Sequence, residues 1–311
     1  MTIRLALIGF GKIAQDQHLP VVQASPAFTL AATVSKHGQG IDGTPHFEDL
    51  ADLIASGIAV DAVSICTPPQ VRRAVALQAI AQGWHVFLEK PPASTLAEVE
   101  LLRTAAEEQA VTLFASWHSR YAPAVEPART WLAEREIRAV KVTWREDVRV
   151  WHPGQQWIWQ PGGFGVFDPG INALSIVTHI LPRPLVVEQA ALDIPENLAA
   201  PIAARVSLRD TAGVPVVMDL DFRQEGPQSW DIAVETDAGT LTLSKGGDEL
   251  ALPDGDATLP AAGDHAEYAA LYARFADLVQ VGASDVDVTP LRLVADAFLS
   301  GRHDRVEALI E

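Results

Sequence analysis

The chain has 311 residues, 48% hydrophobic and 20% charged, a globular composition that leaves little room for long disorder. Its 23 Lys and Arg face 40 Asp and Glu, a formal charge of −17, and no more than two basic residues stand together (Arg72-Arg73). Nucleic acid and anionic membrane surfaces are therefore poor partners. Cys66 is the only cysteine, so neither an intramolecular disulfide nor a thiolate metal site can be built. No stretch reaches the length of a membrane span, and the apolar N-terminus is too short for a signal segment. The expectation is a cytoplasmic protein with no metal.

In chain order, residues 3–8 form an apolar β-type run, followed by a glycine turn and a helical pattern to about residue 24. Strand 28–34, a short helix over 46–56, strand 62–66, helix 71–82, strand 84–88, helix 95–109 and strand 111–116 follow. Thr95 and Glu98 stand in capping-box register. Continuous apolar strands alternating with helices predict a parallel sheet covered on both faces. Beyond residue 121 the pattern changes. Residues 139–146, 186–194, 204–208, 214–222, 232–235 and 240–244 read as strands, several alternating, with Asp237-Ala238-Gly239 as a turn. Helices over 265–281 and 290–301 close the chain. The fold class is thus an α/β Rossmann domain with a parallel sheet, plus an α+β domain with a largely antiparallel, open-faced sheet. The domains are set at 1–121 and 122–311, with the C-terminal helices free to pack back on the first. The open face offers a surface for pairing chains as a homo-oligomer.

Gly9-Phe10-Gly11-Lys12-Ile13-Ala14 is a G-x-G-x-x-A turn between a strand and a helix. Gly9 allows the tight turn, Gly11 lets backbone approach a pyrophosphate, and Ala14 lets helix and strand pack closely. An acid at the end of the second strand would hold the ribose of NAD. Here that strand ends Thr33-Val34-Ser35-Lys36-His37, with no acid before Asp42. Ser35, Lys36 and His37 suit a 2′-phosphate, so NADP is favoured without excluding NAD. Thr67-Pro68-Pro69 shapes a further loop for the cofactor. Arg72-Arg73 reads as a solvated helix face.

Glu89-Lys90-Pro91 follows the fifth strand, and Gly162-Gly163 is followed by Asp168, Gly170 and Asn172. With the glycine turn, this ordered set resembles the Gfo/Idh/MocA family over essentially the whole chain. Most of that family has histidine where Asn172 stands. That departure, with Trp117-His118-Ser119, Trp144-Arg145-Glu146-Asp147 and Trp151-His152-Pro153, resembles the aldose 1-dehydrogenase branch, which acts on L-arabinose and D-galactose. The resemblance implies an aldopyranose substrate, oxidised at the anomeric carbon to a lactone. It also places Glu89 and Lys90 at the cofactor.

An anomeric hydroxyl is more acidic than an ordinary alcohol, so a carboxylate can serve as its base. Asp168 and Asn172, four apart, share a helix face. Asp168 is assigned as base, Asn172 as its orienting partner, and Lys90 as the cation for the developing alkoxide, with Lys90 as the alternative base. The plain alternative for Asp168 is a helix N-cap ahead of Pro169. Glu146, His152 and His118 are candidates for sugar hydroxyls; Trp151 and Trp230, with Trp157 and Trp159, are candidates for stacking on the sugar. Competing readings are another sugar or cyclitol dehydrogenase, a redox-neutral NAD-dependent glycosidase, and a non-catalytic dinucleotide or sugar sensor.

Overall fold

The first 118 residues alternate β1 (Ile3–Ile8), α1 (Leu19–Ala24), β2 (Phe28–Val34), β3 (His46–Phe47), α2 (Leu50–Ser56), β4 (Ala62–Ile65), α3 (Pro69–Ala81), β5 (His85–Leu88), α4 (Leu96–Glu108) and β6 (Leu113–Ala115) in the computed structural model. It describes residues 2–36, 40–257, 259 and 263–310. The six strands form one sheet in the order β3-β2-β1-β4-β5-β6, every pairing parallel. Leu5, Ala6, Leu7, Val63, Val86 and Leu88 are fully buried, which is why these strands read as unbroken apolar runs. Thr95 caps α4 by accepting from Glu98 N at 3.2 Å, while the Glu98 carboxylate reaches back to Ser94 N at 3.1 Å.

The expected helix over 46–56 is in part a strand. His46 and Phe47 pair with Thr33 and Val34, and the helix begins only after Asp49, whose side chain accepts from Asp52 N at 2.9 Å. Phe47 fits a helical period with Leu50 and Ile54, but the cap sets the start.

The next stretch runs α5 (Val125–Leu132), β7 (Ile137–Arg145), α6 (Val148–Trp151), α7 (Phe167–Ile180), β8 (Leu185–Pro195), β9 (Ala203–Asp210), β10 (Pro215–Asp221), β11 (Ser229–Thr236), β12 (Gly239–Ser244), β13 (Glu249–Leu252) and β14 (Gly255–Asp256). After it come α8 (Ala266–Val281), α9 (Thr289–Ser300) and β15 (Arg302–Val306). The second sheet has nine strands in the order β14-β13-β12-β11-β7-β10-β9-β8-β15. It is largely antiparallel; β7 with β10 and β8 with β15 are the parallel pairs. Along β7, Val140, Val142 and Trp144 are buried while Arg138 and Lys141 are exposed, so one face is covered and the other is polar.

The chain divides into two units, Met1–His118 with Gly263–Val288, and Ser119–Ala262 with Thr289–Glu311. Of the C-terminal helices left free to pack back on the first domain, α8 belongs to the first unit and α9 to the second. The reason is aromatic packing. On α8, Tyr272 stacks on Phe87, and Phe275 stacks on Phe28 and Phe114.

Candidate active site

In the first unit, the glycine turn leaves β1 at its C-terminal end, the edge at which parallel sheets hold ligands. Gly9 has φ +81°, and a Cβ there would stand 2.7 Å from Thr67 N, so only glycine fits. A Cβ at Gly11 would meet nothing nearer than Gly9 O at 3.9 Å, which leaves open space above the turn. Ala14 is fully buried. It opens a π-helical turn (Ala14–His18) that runs directly into α1. Lys12 and Ile13 are exposed, and Lys12 pairs with Asp16. Ser35 follows β2 with its N–H on Phe47 O at 3.0 Å, and Lys36 beyond it is exposed. His37 lies outside the described residues.

Arg72 corrects the sequence reading. It is 3% exposed, and its guanidinium donates to the carbonyls of Thr67, Glu89 and Pro91. One buried cation thus ties the Thr67-Pro68-Pro69 loop to the Glu89-Lys90-Pro91 loop. The Lys90-Pro91 bond is cis. Glu89 is itself buried: Oε1 accepts from His18 Nε2 at 2.9 Å and Tyr268 OH at 2.8 Å, and Oε2 from Lys90 N at 2.8 Å. Burial alone would raise its pKa, but the bonds from His18 and Tyr268 hold it well below the usual carboxylate range. Glu89 therefore fixes the backbone that presents Lys90. His118 places Nδ1 2.6 Å from Glu267 Oε2 and stacks on Tyr268. Burial would lower its pKa, but Glu267 and Glu89 outweigh that and raise it above the ordinary histidine range.

In the second unit, β7, α6 and α7 bring most of the expected sugar-side residues together. Glu146 follows β7 directly and is 2% exposed. Its Oε1 lies 2.9 Å from His152 Nε2, and its Oε2 accepts from Trp230 Nε1 at 2.7 Å. His152 Nδ1 is 3.9 Å from Asp168 Oδ2. Trp230 stacks on buried Trp144 and meets Trp151 edge-on at 4.7 Å. Trp151 is 44% exposed, an aromatic wall open to a ligand, whereas Trp159 is buried against Phe222.

Asp168 is not a helix N-cap. It is the second residue of α7, the cap position is Val166, and no side chain caps there. Asp168 is buried and Asn172, one turn on, is half-buried. The glycines ahead of α7 are steric necessities. A Cβ on Gly163 would lie 2.3 Å from Trp157 O, and one on Gly165, at φ +52°, 2.2 Å from Pro201 O.

A family model described as "Oxidoreductase family, NAD-binding Rossmann fold" (GFO_IDH_MocA) matches residues 3–116. The chain is 47% identical to the galactose 1-dehydrogenase of Pseudomonas fluorescens, over 99% of both chains. The chain belongs to the Gfo/Idh/MocA oxidoreductase family. A crystal structure of D-galactose-1-dehydrogenase from Rhizobium etli is 53% identical, with a TM-score of 0.93 over 99% of this chain and 98% of that one. A 3-ketoreductase from Actinomadura kijaniata in complex with NADP, 20% identical at a TM-score of 0.82 over 98% and 100% of the two chains, shares the fold.

The residues of this family member fit a dinucleotide. The space above Gly11 is open, and Thr67 Oγ1 is buried without a hydrogen-bond partner among the described residues. No group of three or more His, Cys, Asp or Glu suited to a metal occurs among the described residues, and none of their helices is long and apolar enough to cross a membrane. Arg72, Tyr268 and Glu267 were not among the sequence candidates. For Arg72 a signal existed: Arg72, Ala76, Ala79 and Ile80 share the buried face of α3. For Tyr268 and Glu267 none existed, because their partners lie about 150 or more residues away.

Proposed function

We propose that the chain is an NADP-preferring aldose 1-dehydrogenase that oxidises pyranoses of the D-galactose and L-arabinose type to their lactones. The observation that carries this reading is the Glu146–His152–Asp168 cluster beside Trp230 and exposed Trp151. Two such pyranoses share ring stereochemistry and differ by one hydroxymethyl group, so one pocket serves both.

The first unit holds the dinucleotide through Gly9, Gly11 and Ala14, with Lys12 and Ile13 at the turn, Thr67 and Pro68 beside it, and Ser35 and Lys36 at the 2′-phosphate. When bound, the dinucleotide accepts the hydride that leaves C1. Asp168 takes the proton of the anomeric hydroxyl, and Asn172 orients that hydroxyl. Lys90 supplies the cation that favours the developing alkoxide, its backbone fixed by Glu89. Glu146 holds ring hydroxyls with lone pairs left over from its two protein donors. Trp151 stacks on the sugar's CH face.

The experiment is a panel of aldoses offered with NADP and with NAD, scored by reduced nicotinamide. D-Galactose and L-arabinose with NADP are expected to turn over best. If no aldose reduces either cofactor, a sensing role replaces this reading.

A further inference from the structure

The π-helical turn that follows the glycine turn ends on His18, which is fully buried. Such turns are rare and frequently mark functional sites. Phe87, Tyr268 and Tyr272 meet the His18 ring edge-on. Its two nitrogens have different partners: Nε2 stands 2.9 Å from Glu89 Oε1, and Nδ1 2.7 Å from Tyr272 OH. Glu89 is ionised and a carboxylate only accepts, so Nε2 carries a hydrogen. Nδ1 faces a hydroxyl, which both donates and accepts, and Tyr272 OH has Ser64 Oγ at 2.8 Å as its next partner. With a neutral ring the O–H bonds run from Ser64 through Tyr272 to Nδ1; with a cationic ring they run the other way. In both states the bond from Nε2 to Glu89 stands.

We infer that His18 is a positioning residue for the lysine loop: by fixing the Glu89 carboxylate it fixes where the backbone delivers Lys90. The inference rests on Lys90 being the cation that favours the developing alkoxide. Two donors from different elements, His18 Nε2 from the π turn and Tyr268 OH from α8, pin Glu89 Oε1. The carboxylate plane then aims Oε2 at Lys90 N, 2.8 Å away. Arg72 already takes the carbonyls of Glu89 and Pro91, so the Lys90 N–H is the backbone group of this loop that Glu89 must hold. The glycine turn and the Lys90 loop are thereby joined through one ring. Displacing a catalytic group by about 1 Å costs on the order of 10²-fold in rate, so a slack Glu89 is felt in the chemical step.

The test compares His18→Gln and His18→Asn in the full-length protein with D-galactose and NADP. The amide nitrogen of glutamine falls where Nε2 stands and keeps a donor for Glu89. That of asparagine falls where Nδ1 stands and reaches Tyr272 only. His18→Asn should lower kcat on the order of 10- to 100-fold, with KM for the sugar and Kd for NADP within about 3-fold of wild type. His18→Gln should recover most of that loss. Equal kcat in the two variants, or a change confined to KM or Kd, overturns the positioning role. Hydrogen exchange of the Lys90 amide in the ligand-free protein reads the same contact without turnover. This amide should be protected in the wild type and in His18→Gln, and should exchange at least ~10-fold faster in His18→Asn, with the amides of α4 unchanged. A wild-type Lys90 amide that exchanges like an open loop overturns the inference even where His18→Asn does not fold. Should Lys90→Met keep its turnover, the reading of Lys90 fails by itself. If it loses turnover while His18→Asn keeps it, only the positioning role fails.

Discussion

At the scale of single residues, two side chains separate chemistry from binding. Asp168 is buried inside the first turn of α7. In its proposed role as base, its loss should be felt in the chemical step. Asp168→Ala is expected to cut kcat by at least ~10²-fold while leaving NADP affinity near normal; titrating NADP by fluorescence and measuring kcat on D-galactose checks both halves. Lys36 is exposed past the end of β2, and no acid precedes it on that strand. A charge-assisted bond to the 2′-phosphate contributes about 1.5–3 kcal/mol. Lys36→Ala should therefore raise KM for NADP roughly 10-fold or more and leave KM for NAD unchanged. Equal losses for both cofactors would remove the 2′-phosphate assignment. Both residues were legible as candidates because motif and resemblance fixed their positions. Arg72 was misread because an arginine pair looks solvated, although its helical spacing placed it with the apolar face of α3.

At the scale of elements, the segment from Trp157 to Asp168 works as a unit that aims α7. Gly165 N bonds Ile158 O at 2.9 Å, Val166 N bonds Pro201 O at 2.8 Å, and Asp168 N bonds Gly165 O at 2.9 Å. The glycines were legible as a signature, but the sequence carried no hint that their missing Cβ atoms make room for Trp157 O and Pro201 O. Such partners are distant in the chain or hidden by loop geometry. The structure turns the signature into a steric prediction. Gly163→Ala and Gly165→Ala force a Cβ against backbone oxygen, and should destabilise the protein by about 2–4 kcal/mol. Gly213, at φ +92° with nothing within 4 Å of its Cβ position, carries only the conformational cost, so Gly213→Ala should lose about 1 kcal/mol. Urea denaturation of the three variants decides the matter; equal losses at Gly165 and Gly213, which share a positive φ, would show that backbone conformation, not crowding, sets the requirement there.

At the scale of the whole molecule, what the sequence left open was where the last helices belong. The alternation of strands and helices located the parallel sheet, and the hairpin turn located the second one. Yet α8 joins the first unit through Tyr268, Tyr272 and Phe275, a link made by partners more than half the length of the chain away. Glu89 is the hub of that link, bonded to His18, Tyr268 and Lys90 N, and this makes the first unit's stability depend on pH. Its pKa is lower in the folded state than in the unfolded chain, so below the ordinary glutamate value of about 4.3 the unfolded chain binds the proton first. The stabilisation is therefore complete above that value and is lost as pH falls toward the folded pKa. Glu89→Gln offers one acceptor oxygen where two are used, and should cost about 1–3 kcal/mol at neutral pH because a buried donor is left without its acceptor. The gap in stability between wild type and Glu89→Gln, measured by urea unfolding, should narrow steadily as the pH is lowered below about 4. A gap that stays constant across that range would mean that Glu89 acts through packing rather than through its charge.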